Sequence, residues 1–422
     1  MPTELIILLI MLFVFSAGVF WLKMPSGVSL ALAAVIGALF GGEGIPVRHL
    51  VEGSFGFLDA MMIIASAMVF MKVIEATGAL ASISTALVKY FHKWPTLLII
   101  LIVFFVMFPG MFTGISSTCI LTTGALVAPA LLAMGMPKKA AGSLIAMAAV
   151  YGMIAPPINI PVMIIGGGVD MPYIGFEKPL IFATFPLAIM TAIYFRVRFI
   201  RKFDVKDVLA KLPVSVYPQY GIRLFIPIIF VVGALISIKM FPQTVPDIGI
   251  PLIFIIGALL GFGSGHNFNF YKVSRVAVRD VIPVLGILIG VGMFVQIMTL
   301  LGIRGYLAVS AIKLPLVYLY IAIAVFMPAF GSAFASSSVL GVPLIFVFLG
   351  TNEIIVCAAL SLIAAVGDLM PPPSLLTVFS AQIVGEENHF RILKQSIVPI
   401  IVTLIYGIMM IVFAVRIGDF LK

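Results

Sequence analysis

Apolar residues dominate this chain in long blocks separated by short polar or glycine- and proline-bearing breaks. The blocks cover about 4–22, 26–42, 54–77, 140–170, 176–196, 222–241, 248–263, 280–300, 352–384 and 395–416. A helix needs about 20 apolar residues to cross a bilayer, so this pattern predicts spans. Two further blocks, about 95–134 and 315–350, are broken in the middle by small polar clusters. Each is read as a re-entrant helical hairpin. The segments 80–93 and 303–313, just before the hairpins, mix apolar residues with a few charges, as interfacial helices do. The predicted fold class is an all-α polytopic membrane protein.

The breaks come in matched pairs. PGMFTGISST at 109–118 is followed by Pro156-Pro157, and PAFGSAFASSS at 328–338 is followed by Pro371-Pro372-Pro373. Gly135 and Gly350, Gly152 and Gly367, and Pro156 and Pro371 are each 215 apart, while Ser116-Ser117-Thr118 and Ser336-Ser337-Ser338 align at 220. Small polar residues and helix-breaking prolines at membrane depth are costly unless they line a cavity. A matched pair of interrupted segments points to a transporter's binding site. The expected organisation is two repeats: residues 1–211, with a hairpin at about 95–134 and a broken helix at about 140–170, and residues 212–422, with a hairpin at about 315–350 and a broken helix at about 352–384.

Composition agrees with the pattern. The chain is 63% hydrophobic and 10% charged, with a mean hydropathy of +1.27, whereas soluble domains carry about 25% charged residues. A net charge of +9 would point to nucleic acid in a soluble protein. Here it fits basic cytoplasmic loops, and no nucleic-acid partner is expected. The most basic loop holds Arg196, Arg198, Arg201, Lys202, Lys206, Lys211 and Arg223 against Asp204 and Asp207. Counting spans outward from it places Lys23, Lys89/Lys93, Lys138-Lys139 and a Lys272/Arg275/Arg279 loop on the same side, with Arg304, Lys313, Arg416 and Lys422 opposite. The repeats then run in opposite directions, so an inverted repeat is expected. The N-terminus, MPTELIILLIMLFVF, lacks a basic n-region and is read as the first span. Cys119 and Cys357 imply neither a disulfide framework nor a metal site.

The candidate chemistry lies at the breaks. Hydroxyls and freed carbonyls at a glycine-bearing tip suit a dehydrated hard cation, and helix N-termini suit a carboxylate. The cation donors are taken as Thr113, Gly114, Ser116, Ser117 and Pro156 from the first repeat, and Gly331, Ser332, Ser336, Ser337, Asp368 and Pro371 from the second. Thr118, Asn159, Ser338 and Ser374 are taken as substrate contacts. For any one cluster the competing reading is close helix packing by small residues; recurrence weighs against it. Asp368 sits inside an apolar run three residues before the prolines. An intramembrane acid is a functional candidate by default, although an internal structural pairing would also hold it there. Lys72 and Glu75 share a helix face and read as an ion pair or as interfacial snorkelling. No arginine lies in the tips or breaks. No His-Glu-x-x-His, P-loop or Gly-x-Ser-x-Gly pattern occurs, and Asp368 alone is no catalytic set, so no enzyme is expected.

The runs GISSTCILTTGALVAPALLAMGM, YGMIAPPINIPVMIIGGGV and VGDLMPPPSLLTVF together resemble the hairpin and unwound segments of the large permease (M) subunit of tripartite ATP-independent periplasmic (TRAP) transporters, within the ion transporter superfamily. The second hairpin departs from the pattern in its serine richness, and Asp368 in standing where an apolar residue is expected. The resemblance implies an elevator-type carrier in the inner (cytoplasmic) membrane, with sodium as coupling ion and no cofactor. It also implies import of a small organic-anion substrate, dicarboxylates among them. The implied partners are a small membrane subunit, read as unfused here, and a periplasmic substrate-binding protein. The alternative is a stand-alone proton- or sodium-coupled organic-anion carrier of the same superfamily.

Overall fold

The computed structural model describes residues 2–200, 203–241, 243–371 and 374–421. Among these residues there is no strand; helices account for the architecture throughout. The first repeat opens with α1 (Thr3–Phe20), α2 (Ser26–Phe40), α3 (Val47–Phe55), α4 (Leu58–Ala76) and α5 (Ala79–Phe91). Its hairpin is α6 (Pro95–Thr113), the short α7 (Ser116–Cys119), a π-helical turn (Ile120–Gly124) and α8 (Ala125–Ala133). The broken pair α9 (Lys138–Ile154) and α10 (Ile160–Gly167) follows, then α11 (Glu177–Phe199). The connector carries α12 (Val205–Ala210) and α13 (Tyr217–Tyr220).

The second repeat runs through the same series: α14 (Ile226–Met240), α15 (Ile250–Leu260), α16 (Phe270–Leu300) and α17 (Ile303–Ile312). Its hairpin is α18 (Leu316–Ala329), α19 (Ala333–Ser336), a π turn (Ser337–Gly341) and α20 (Val342–Val347). The broken pair is α21 (Glu353–Ala365), extended by a 3-10 turn (Val366–Leu369), and α22 (Leu375–Val384). The chain ends with α23 (His389–Val412) and α24 (Ala414–Leu421). Where the first repeat bends by 42° between α3 and α4, the second has a single helix of 31 residues.

Two groups of helices result. Helices α1–α4 pack with α14–α16, while the hairpins, the broken pairs, α11 and α23 pack with one another. Glycines allow the closest approaches in the first group: a Cβ on Gly27 would lie 2.0 Å from Gly286 O, and one on Gly292 2.0 Å from Gly53 O. No side chain fits there, so the backbones pack directly. In the second group, a Cβ on Gly152 would lie 2.7 Å from Met107 Cα, and one on Gly367 3.2 Å from Pro328 O. This matched glycine pair therefore lets each broken helix seat against the hairpin of its own repeat.

The structure revises the list of spans. Seven helices among the described residues are long and apolar enough to cross a membrane, or eight if the bent α3–α4 pair counts as one. The run 26–42 yields a helix of 15 residues and 248–263 one of 11. Glycines and prolines at the ends of these runs are apolar enough to extend the pattern but do not extend the helix. The run 280–300 is instead the inner part of α16, which begins ten residues earlier. At 1.5 Å per residue α16 is about 46 Å long, well beyond the roughly 30 Å hydrocarbon core.

Candidate functional site at the meeting of the two hairpins

Both hairpins fold back on themselves. In the first, Thr123 Oγ1 donates to Val106 O at 3.2 Å and Cys119 Sγ lies 3.7 Å from Met107 O, which fixes α6 antiparallel to the returning arm. The turn is made by Gly114, left-handed at φ +65; Gly331 has the same φ in the second hairpin. L-residues with a side chain rarely adopt this conformation, and a Cβ on Gly114 would lie 2.6 Å from Ile160 Cγ1. Ile158 N–H donates to Met111 O at 3.1 Å, so the unwound stretch after α9 is tied to its own hairpin.

These turns correct the alignment of the repeats. Gly114 and Gly331 are 217 apart, as are the starts of α7 and α19 and of the two π turns. Ser116 therefore corresponds to Ala333, not Ser336. The three serines 336–338 lie one turn farther along, across the end of α19 and the π turn. Matching hydroxyl to hydroxyl gave an offset of 220; the backbone turn sets the true register.

Asp368 joins the two tips. Ser116 Oγ donates to Asp368 Oδ2 at 2.7 Å, and Ala333 N–H donates to Oδ1 at 2.8 Å. One carboxylate from the second broken helix thus holds the first residue of α7 and the first of α19. Charge-assisted hydrogen bonds of this length are the strong ones. Gly367 places the acid there, since its missing side chain lets the segment lie on the second hairpin.

A cavity of about 760 Å³ opens beside this junction. Of the residues anticipated from sequence, Ser116, Ser117, Thr118, Gly331, Ser332 and Asp368 line it. The others lie elsewhere. Thr113 donates to Pro109 O at 2.8 Å and accepts from Ile115 N–H, so it stiffens the turn; Gly114 makes the turn itself. Asn159 is fully buried, capping α10 through Val162 N–H and donating to Ile154 O and Ser361 Oγ. Its amide is fully engaged in holding the break. Pro156 is buried and Pro371 exposed, neither at the cavity wall. Pro372 and Pro373 fall outside the described residues. Ser338 donates to Ala335 O. Ser336, Ser337 and Ser374 are buried with hydroxyls that have no partner in the structure, and Ser374 is left-handed at φ 53. No cluster of three or more His, Cys, Asp or Glu occurs among the described residues. A hard cation would here be held by hydroxyls, carbonyls and Asp368.

The cavity also has residues that sequence reasoning missed. Lys72, Arg279 and Asp280 line it from α4 and α16. Lys72 Nζ is 3.2 Å from Glu75, the pairing anticipated, and also 3.2 Å from Asp280, which sequence spacing did not reveal. Arg279 reads as a loop residue in sequence but stands within α16. The available signal was the continuation of helix-compatible residues from 270 into the apolar run, on a helix longer than the bilayer is thick.

Residues 2–181 match the family described as tripartite ATP-independent periplasmic transporter, DctM component. The match runs from α1 to the start of α11. That family consists of transporters, not enzymes, and its members are multi-pass membrane proteins. No curated protein sequence matches the chain significantly. Among solved structures, the Alcanivorax borkumensis YdaH transporter shares 17% identity at a TM-score of 0.61, over 86% of this chain and 87% of that one. Neisseria gonorrhoeae MtrF, described among antimetabolite efflux pumps, shares 14% at a TM-score of 0.59, over 88% and 84%. At these identities the likeness is one of fold.

Proposed function

We propose that the chain is the large membrane component of a DctM-type secondary carrier that moves an organic anion with sodium through the cavity at the hairpin junction. The observation that carries this is Asp368 bonded to both hairpin tips beside that cavity. A lone carboxylate there repels an anionic substrate. A cation bound near it removes the repulsion, and co-binding of the two then follows from electrostatics. Neutral oxygens near the acid suit sodium, and Ser116, Ser117, Thr118 and Ser332 bring hydroxyls to the same cavity wall as Asp368.

The repeated order of elements and the two helix groups support an elevator reading. In it, the hairpins and broken pairs move against α1–α4 and α14–α16, and the repeats lie inverted in the inner membrane. The DctM match supports a small membrane subunit and a periplasmic binding protein as partners, and with them uptake as the direction. The test is uptake of labelled organic acids into proteoliposomes at constant pH. Accumulation should follow an inward sodium gradient and vanish in choline. Full accumulation driven by a proton gradient without sodium would instead assign Asp368 to proton transfer.

A further inference from the structure

We propose that the cavity selects an anion with one carboxylate and a bulky apolar body, such as an aryl-alkyl monocarboxylate, with the carboxylate held by Arg279. This rests on the carrier reading above and names its substrate class.

Four charged side chains line the cavity: Lys72, Arg279, Asp280 and Asp368. Three are already engaged. Lys72 lies between Glu75 and Asp280 at 3.2 Å from each, and Asp368 spans the hairpin tips. Arg279 forms no ion pair or hydrogen bond among the described residues. One free guanidinium offers a planar fork that matches one carboxylate. A second carboxylate would find only a lysine shared by two acids, and Asp368. With the proposed cation committed to Asp368, the cavity's own side chains leave one unengaged positive group for the substrate, not two.

Much of the remaining lining is apolar, and six of its residues are phenylalanines. Phe15, Phe20, Phe326, Phe330, Phe334 and Phe379 contribute to it from α1, both arms of the second hairpin and α22. Such a wall favours an aryl or branched alkyl body, since aromatic rings bury large apolar area and pack edge-to-face. A compact polar acid would leave this surface facing water. The volume, about 760 Å³, lies in the usual range for small-molecule sites, about 300–1,000 Å³. Arg279 belongs to the α16 group and most of the phenylalanines to the hairpin group, so the ligand would touch both helix groups.

The test is binding to the purified full chain in detergent with sodium present, read by isothermal titration. The probes are 3-phenylpropionate, its neutral counterpart 3-phenylpropanol, and succinate. Expected is an affinity for 3-phenylpropionate at least tenfold above that for either control. Arg279→Gln should weaken 3-phenylpropionate at least tenfold and leave 3-phenylpropanol unchanged, while Arg279→Lys recovers part of the loss. Arg279 is exposed and forms no ion pair or hydrogen bond among the described residues, so its replacement breaks none; size-exclusion profiles check folding. Phe330→Leu gives a second readout, reducing the preference for the aryl acid. Succinate binding as tightly as 3-phenylpropionate, or an unchanged affinity in Arg279→Gln, overturns the proposal. Binding needs no gradient, so the two readings fail separately. Sodium-driven succinate uptake without aryl-acid binding sinks only this inference, and aryl-acid binding without transport sinks only the carrier reading.

Discussion

Replacing Asp368 by Asn separates a structural staple from a cation site. The carboxylate accepts two hydrogen bonds, from Ser116 Oγ and from Ala333 N–H. Ala333 N–H can only donate, so the Asn carbonyl must face it. The Asn amide then points at Ser116, whose hydroxyl can accept instead of donate. Both links survive as neutral bonds. Charged hydrogen bonds contribute roughly 1.5–3 kcal/mol and neutral ones roughly 0.5–1.5, so the substitution costs about 1 kcal/mol per bond, about 2 in all. A cation near the carboxylate has far more to lose. At about 4 Å and an effective dielectric of about 20, a unit pair is worth about 4 kcal/mol, close to a thousandfold in affinity; tenfold is a conservative floor. The assay is thermal unfolding of the purified chain titrated with sodium chloride at constant ionic strength in choline. Asp368→Asn should unfold a few degrees lower in choline, while the midpoint of sodium stabilisation rises at least tenfold. Asp368→Ala, which strands Ala333 N–H, should be clearly less stable than Asn. A folded Asp368→Asn with the wild-type sodium midpoint would show that the acid only staples the tips.

Other consequences follow from the packing. Gly292→Ala puts a Cβ 2.0 Å from Gly53 O, and overpacking of this kind costs about 1–3 kcal/mol; the variant should unfold at lower temperature while the hairpin contacts remain. Asp280→Asn removes one of two partners of Lys72 at a partly exposed pair, which is worth about 0–1 kcal/mol. Its thermal stability should therefore stay near wild type, and a large loss would mean that the pair holds α4 to α16. Single cysteines near Lys138 and near Thr351 should label from opposite sides of the membrane; labelling from one side would contradict the inverted arrangement.

Much of the fold was legible because membrane burial writes itself into long apolar runs, and breaks in them are too costly to be accidental. The positions of both hairpins, both unwound segments and Asp368 follow from that alone. Register did not, because Ser336–Ser338 resemble Ser116–Thr118 in chemistry while Gly114 and Gly331, 217 apart, set the turns. Asn159 could not be told from a ligand by sequence, since one of its three hydrogen bonds goes to Ser361, 202 residues away. Arg279 was obscured by the length of α16: charges on a helix that overshoots the bilayer look like loop charges. The link from Lys72 to Asp280 exists only in three dimensions.

The central claim is that a cation and a carboxylate share the site beside Asp368, and linkage tests it most directly. Carboxylate binding to the purified chain is titrated in sodium and in choline, and sodium binding with and without the carboxylate. The account predicts that sodium tightens carboxylate binding at least tenfold and that the carboxylate tightens sodium binding by the same factor. Carboxylate affinity that is equal in sodium and in choline would contradict it.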